Sequence, residues 1–252
     1  MKYWSDVLLE WKLFHYNLYC NTLFISHSVF ETKLLNISVS LAVCVAQIDL
    51  AILVDGSGSI EHYGRGNFKR CLNFVKNMVS SFKISPRHTR VSVTIFSTSA
   101  RRIFSFGSYR SKHQVLRAIG RIRYPRGGTK LGRALNYVRR YVFGGSRRKK
   151  VLIVMTDGVS YDKVGGPAAA LKRMGVTIFG MGIGRKYNIR QLRQLSSSHR
   201  HVYTASFRAM SRVVRSIKKR ACKGTYPYFG CIVRPSFSFA VFFYFSWTYS
   251  RK

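Results

Sequence analysis

Apolar and polar positions along the middle of this chain follow two alternating periods. Leu50 to Val54 is an unbroken apolar run closed by Asp55-Gly56, the mark of a strand buried on both faces. Phe68, Cys71, Leu72, Val75, Val79 and Phe82 then recur at helical spacing, with Lys69, Arg70 and Lys76 between them. Thr89 to Phe96 alternates Val91, Val93 and Ile95 with polar residues and predicts a strand; Arg101 to Phe106 predicts another, close enough to pair antiparallel with it. Val115, Ala118, Ile119 and Ile122 predict a short helix, and Leu131, Ala134, Leu135, Val138 and Val142 the next. A second buried run, Val151 to Met155, precedes a helix over Ala168 to Met174, a strand over Val176 to Met181 and a short helix over Ile189 to Leu195. His201 to Thr204 reads as an edge strand. Phe207, Met210, Val213, Val214 and Ile217 mark a last helix.

Such βα alternation predicts an α/β fold: a doubly wound, mostly parallel six-stranded sheet with one antiparallel edge strand and helices on both faces. In such sheets ligands bind beyond the carboxyl ends of the strands, where the strand order switches. Two carboxylates, Asp55 and Asp157, stand just past the carboxyl ends of the two buried runs.

The first run leads into Asp55-Gly56-Ser57-Gly58-Ser59, one carboxylate and two hydroxyls on a turn that two glycines permit. These are hard oxygen donors, suited to Mg²⁺, Mn²⁺ or Ca²⁺ rather than zinc. A plain Gly/Ser turn after a strand is the other reading of these five residues. Two later stretches bear on that choice: Gly127-Gly128-Thr129 ahead of a helix, and Val151 to Thr156 ending in Asp157-Gly158.

Taken together, the three stretches resemble the von Willebrand factor type A domain over about residues 47–220. The resemblance implies a metal-ion-dependent adhesion site. Ser57, Ser59 and Thr129 would be its hydroxyl ligands, and Asp55 and Asp157 its carboxylates, acting directly or through water. A partner's Glu or Asp would complete the coordination. The family's usual Thr or Ser two residues after Thr129 is Leu131 here. Extracellular members often close a disulfide between cysteines flanking the domain, which implies a Cys44–Cys222 pair. The function implied is that of a secreted, extracellular adhesion module of the collagen VI and matrilin style, binding a matrix protein, collagen-like or other, and not an enzyme.

Composition adds a second theme. The 252 residues carry 44 Lys and Arg against 8 Asp and Glu, a formal charge of +36. That excess points to a polyanionic partner, with acidic glycan the alternative function. Nucleic acid is not expected, because no recognition motif accompanies the charge. The last helix carries Arg208, Arg212, Arg215 and Lys219 at spacings that share a face, the candidate polyanion surface. Within residues 47–220 the acids are Asp49, Asp55, Glu61, Asp157 and Asp162. The three outside the motif lie within six residues of one of the motif acids, which suggests acid kept where a cation would sit. Cys71, on an apolar helix face, reads as a buried thiol.

Other chemistries fall away on inspection. Gly56-Ser57-Gly58-Ser59-Ile60-Glu61 lacks the third glycine of a dinucleotide loop and would set Glu61 against a pyrophosphate. The phosphate-cradling Gly-x-x-x-x-Gly-Lys-Ser/Thr and the Gly-x-Ser-x-Gly elbow are absent from the sequence. His62, His199 and His201 read as surface or loop residues. Residues 1–33 show no clean period. The apolar run 34–46 ends in small residues like the core of a secretory signal and is short for a membrane span, so residues 1–46 read as a leader. Cleavage after Ala46 would, however, remove Cys44. Residues 221–252 form an aromatic-rich tail, too short and too polar for a membrane span.

Overall fold

A computed structural model describes residues 43–62 and 64–222. Six strands are present: β1 (Ile48–Asp55), β2 (Arg90–Phe96), β3 (Ala100–Phe104), β4 (Lys149–Thr156), β5 (Val176–Ile183) and β6 (Val202–Ala205). Between and after them run α1 (Ser59–His62), α2 (Asn67–Ser80), α3 (Lys112–Gly120), α4 (Leu131–Tyr141), α5 (Gly165–Arg173), α6 (Ile189–Leu195) and α7 (Val214–Ala221). The sheet order is β3-β2-β1-β4-β5-β6. Every neighbouring pair is parallel except β2 with β3. This is the doubly wound sheet with one antiparallel edge that the pattern predicts.

The continuous apolar runs reflect burial on both sides, and β1 is buried along its whole length. Because successive side chains point to opposite faces, β1 feeds two separate cores. Leu50, Ile52 and Val54 pack with Phe68, Cys71 and Val75 of α2, Val115 and Ile119 of α3, and Ile217 of α7. Ala51 and Leu53 pack with Leu135 and Val138 of α4, Ala168 and Leu171 of α5, and Leu192 of α6.

Element ends follow from local chemistry. Ser111 and Gln114 form a capping box that starts α3 at Lys112, ahead of its first apolar residue. Asn188 caps α6 through the N–H groups of Arg190 and Gln191. The predicted final helix is not one element. A 3₁₀ turn, Met210–Val213, runs into α7, and Arg208 lies in the turn before it. A tighter first turn is common where a helix begins.

Cys44 and Cys222 are disulfide-bonded across a sequence separation of 178, with Cα atoms 6.3 Å apart. Cys44 also exchanges backbone hydrogen bonds with Ser81 and Lys83, and the buried Ala46 carbonyl accepts from the Thr89 hydroxyl at 3.1 Å. Cys44, Ala46 and Cys222, outside the expected 47–220 span, therefore pack with the domain. Cleavage after Ala46 would cut Cys44 and Ala46 from the chain of the domain they pack with. Cys71 is a buried free thiol, as its place on the apolar face of α2 predicts. Most of the signal-like run and the tail beyond Cys222 lie outside the described residues.

Candidate metal centre

The strand order reverses at β1, which has β2 on one side and β4 on the other. Asp55 ends β1, and Asp157 follows the last residue of β4. In the β1–β4 register Val54 faces Met155, so the two carboxylates leave adjacent strands about one residue apart. The two apolar runs, paired in parallel, thus bring the two acids together.

Hydrogen bonds then fix the site. The Ser57 N–H donates to Asp55 Oδ1 at 2.8 Å, and the Thr156 hydroxyl donates to Asp55 Oδ2 at 2.7 Å. The Ser57 and Ser59 hydroxyls are 3.0 Å apart, and the Ser59 hydroxyl donates to Asp157 Oδ1 at 2.8 Å. Asp55, Ser57, Ser59 and Asp157 are therefore one connected cluster.

Thr129 reaches the same end by a different route. The loop before α4 is tied to the serine turn where the Gly58 N–H donates to the Gly127 carbonyl at 2.8 Å. It turns through left-handed backbone at Arg126 (φ 61) and Gly127 (φ 102). Pro125 presses on Gly56 so closely that a Cβ there would lie 2.5 Å from the proline Cγ. The Tyr124 hydroxyl donates to the Ser57 carbonyl at 2.6 Å. Beyond Thr129, α4 has no cap of its own; Ser160 accepts from the Leu131 N–H, and Asp162 accepts from Gly132 and Arg133. The Tyr161 N–H donates to the Thr129 carbonyl at 3.0 Å. The segment after β4 thus holds the threonine in place.

Burial governs the electrostatics. Asp55 is 1% exposed and Asp157 2%. Burial pushes the Asp55 carboxyl up to about 6; the Asp157 charge adds to the rise, and hydrogen bonds from Ser57 and Thr156 oppose it. Burial also raises Asp157, against the Ser59 hydrogen bond. Asp157 Oδ2 is buried and accepts no hydrogen bond from the described residues. Two desolvated carboxylates, one with an orphaned oxygen, beside three hydroxyl-bearing residues fit a hard cation. A plain Gly/Ser turn accounts for none of this.

The other three acids spend their hydrogen bonds outside that cluster, contrary to expectation. Asp49 sits at the opposite end of β1, where Arg90 Nε and Nη2 each donate to it at 2.7 Å and Ser146 adds a further hydrogen bond. Glu61 accepts from the N–H groups of Gly66 and Phe68, and Asp162 caps α4. Each is explained by the fold. Sequence reasoning missed Thr156 and Tyr124. The position of Thr156, directly before Asp157 at a strand end, was a usable signal; nothing in the sequence marked Tyr124. Of the candidate polyanion residues, Arg212, Arg215 and Lys219 are exposed on the 3₁₀ turn and α7, and Arg208 is exposed in the turn upstream.

Comparison with known proteins places this geometry. A family model for the von Willebrand factor type A domain matches residues 49–215. Mouse (Mus musculus) cochlin is 35% identical over 186 residues, covering 71% of this chain and 33% of that one. Chicken (Gallus gallus) matrilin-1 is 31% identical over 183 residues, 69% of this chain and 36% of that one. The chain thus spans about a third of the length of these relatives. Proximal thread matrix protein 1 from the mussel byssus superposes with a TM-score of 0.69 at 29% identity, covering 72% of this chain and 47% of that one. A second structure of the mussel protein, with a zinc-occupied MIDAS motif, gives 0.68 at 30% identity with the same coverage. Zinc in that motif means the oxygen-rich donor set does not by itself exclude zinc.

Proposed function

The chain belongs to the von Willebrand factor type A domain family, and from that premise we propose that it is an extracellular adhesion module that captures an acidic residue of a matrix protein through a divalent cation. Asp55, Ser57, Ser59, Thr129 and Asp157 would hold the ion. The observation that carries this reading is the buried, unpartnered Oδ2 of Asp157 beside the Asp55–Ser57–Ser59 cluster.

The donor set suits capture rather than sequestration. Two carboxylates at most balance a divalent charge, and neutral hydroxyls add no further anion, so attraction for an outside carboxylate is left unquenched. When bound, the ion supplies a Lewis-acidic contact for that carboxylate. The protein's part is to hold its oxygens in place: Thr156 and the Ser57 N–H orient Asp55, Ser59 orients Asp157, and Tyr124 fixes the serine turn. Mg²⁺ and Mn²⁺ are the proposed ions, with Ca²⁺ next. We propose no catalytic step.

The extracellular assignment rests on the Cys44–Cys222 disulfide, a bond that persists in oxidising compartments. Among the described residues no helix is long and apolar enough to cross a membrane. The test is calorimetric titration of Mg²⁺ and Mn²⁺ into the full chain, with retention on collagen-coated plates measured in Mg²⁺ and in EDTA. Saturable metal binding that Asp55→Ala abolishes and Asp157→Ala weakens, with retention lost in EDTA, is the expected result. Unchanged Mg²⁺ affinity in Asp55→Ala overturns the assignment. A second reading, attraction to a polyanion, is favoured by the net charge of +36 and by a basic groove on the same end of the molecule.

A further inference from the structure

A groove of about 820 Å³ opens between the turn leading into α2, the loop after β5 and the turn after β6. Arg65, Arg70, Arg185, Lys186 and Arg208 line it with Phe207, and no acidic side chain is among the described residues lining it. One wall continues from α1, which begins at Ser59; another follows β5, the strand paired to β4. The groove therefore lies at the carboxyl-end side of the sheet, as the metal centre does, but shares none of its residues.

The groove is built rather than merely charged. Asn67 is 3% exposed and anchored through Nδ2 to the Ile60 carbonyl at 2.9 Å. Its Oδ1 accepts from Arg70 Nη1 at 2.8 Å, and the same nitrogen donates to the Arg65 carbonyl at 3.2 Å. Arg70 is thus pinned while its remaining donors stay available to the groove. Glu61, the acid nearest in sequence, has its two oxygens on the Gly66 and Phe68 N–H groups at 2.7 and 2.8 Å. Like charges gathered around one concavity repel, and an anionic occupant relieves that repulsion.

We propose that this groove binds a segment of an acidic polysaccharide, whose sulfate and carboxylate groups sit on Arg65, Arg70, Arg185 and Arg208, independently of the metal centre. Guanidinium forks match such oxyanions in a two-pronged geometry, and half-buried Phe207 offers an apolar patch to a sugar ring. Phe207, the one aromatic side chain among the described residues lining the groove, is a poor stacking platform for single-stranded nucleic acid, which uses several in succession. The disulfide places the chain where acidic polysaccharide is the polyanion it meets. Arg208 thereby belongs to the groove; Arg212, Arg215 and Lys219 do not line it.

The test is titration of a heparin hexasaccharide into the full chain in EDTA. Two charge-matched triple variants are compared: Arg65→Ala/Arg185→Ala/Arg208→Ala in the groove and Arg212→Ala/Arg215→Ala/Lys219→Ala on the 3₁₀ turn and α7. Both sets are exposed, and unchanged melting temperatures verify that each variant folds. The expected result is binding in EDTA, weakened about 10-fold or more by the groove triple and less than about 3-fold by the helix triple, as exposed ion pairs lost together imply. Equal losses in the two triples show attraction to net charge alone and overturn the proposal. Binding that disappears in EDTA overturns its independence from the metal centre. An oligodeoxythymidylate of equal charge that binds as tightly, with the same sensitivity to the groove triple, overturns the polysaccharide assignment. The proposed adhesion function is tested separately, because Asp55→Ala should leave hexasaccharide binding unchanged.

Discussion

Replacing Asp55 with Asn should separate what this carboxylate costs the fold from what it does for a cation. Its pKa rises from 3.8 to about 6 because it is buried beside Asp157, so the folded chain holds this proton more tightly than the unfolded chain. The stability contributed by the protonated form is fully present below pH 3.8 and is lost as pH rises through about 6. At about 1.4 kcal/mol per pH unit, the metal-free protein loses about 3 kcal/mol across that window. Asparagine keeps an oxygen for the Ser57 N–H but sets an N–H₂ against the Thr156 hydroxyl, which must then turn round to accept. That rearrangement costs about 1 kcal/mol. In EDTA, Asp55→Asn should therefore be about 2 kcal/mol more stable than the parent at pH 7 and about 1 kcal/mol less stable below pH 4. Urea unfolding followed by circular dichroism, repeated from pH 3.5 to 7.5, measures the difference. Mg²⁺ at a hundred times its Kd should stabilise the parent by about 2.7 kcal/mol and the variant not at all. A stability difference that does not change with pH, or a variant less stable than the metal-free parent at pH 7, would refute the reasoning.

Two further perturbations test the frame around the site. Removing the disulfide in Cys44→Ala/Cys222→Ala should cost about 4–5 kcal/mol on the chain-entropy estimate for a loop this long; a loss under about 1 kcal/mol in urea unfolding would show that the packing of Cys44 beside Phe82 and Ser81 carries that edge without the bridge. Asp49→Ala should cost about 1–2 kcal/mol, because Arg90 loses its charge-assisted hydrogen bonds but, at 29% exposure, keeps access to water, yet leave Mg²⁺ affinity unchanged, since Asp49 lies at the other end of β1 from Asp55; a fall in metal affinity would contradict that separation.

How much was legible can be judged from particular residues. Leu50 to Val54 and Val151 to Met155 announced strands buried on both faces, because only apolar side chains satisfy two cores at once. Once both strands were placed in a parallel sheet, Asp55 and Asp157 had to emerge at the same end. The turn glycines carried the same message: Gly56 leaves no room for a Cβ against Pro125. The acids were harder to read. Scarcity suggested that Asp49, Glu61 and Asp162 attend a cation, but proximity in sequence is not proximity in space. A strand of eight residues carries Asp49 to the far end of the sheet from Asp55, where Arg90 claims it.

The sequence by itself determined the sheet, the order of its elements and the chemical character of the site, because periodicity and short motifs are local and each strand or turn declares itself within a few residues. Only the tertiary structure decided which acids serve the site and which serve the fold. It alone put Thr156 on Asp55, Tyr124 on the serine turn and Asp162 at the start of α4, contacts that span 101, 67 and 30 residues of chain. It also gathered Arg65, Arg185 and Arg208 from three separate loops into one groove, where the sequence offered only a stripe along a helix. The physical reason is the same in each case. A hydrogen bond or a shared charge field depends on distances in space, and the pairing of β1 with β4 and β4 with β5 sets those distances without leaving a local mark on the residues that use them.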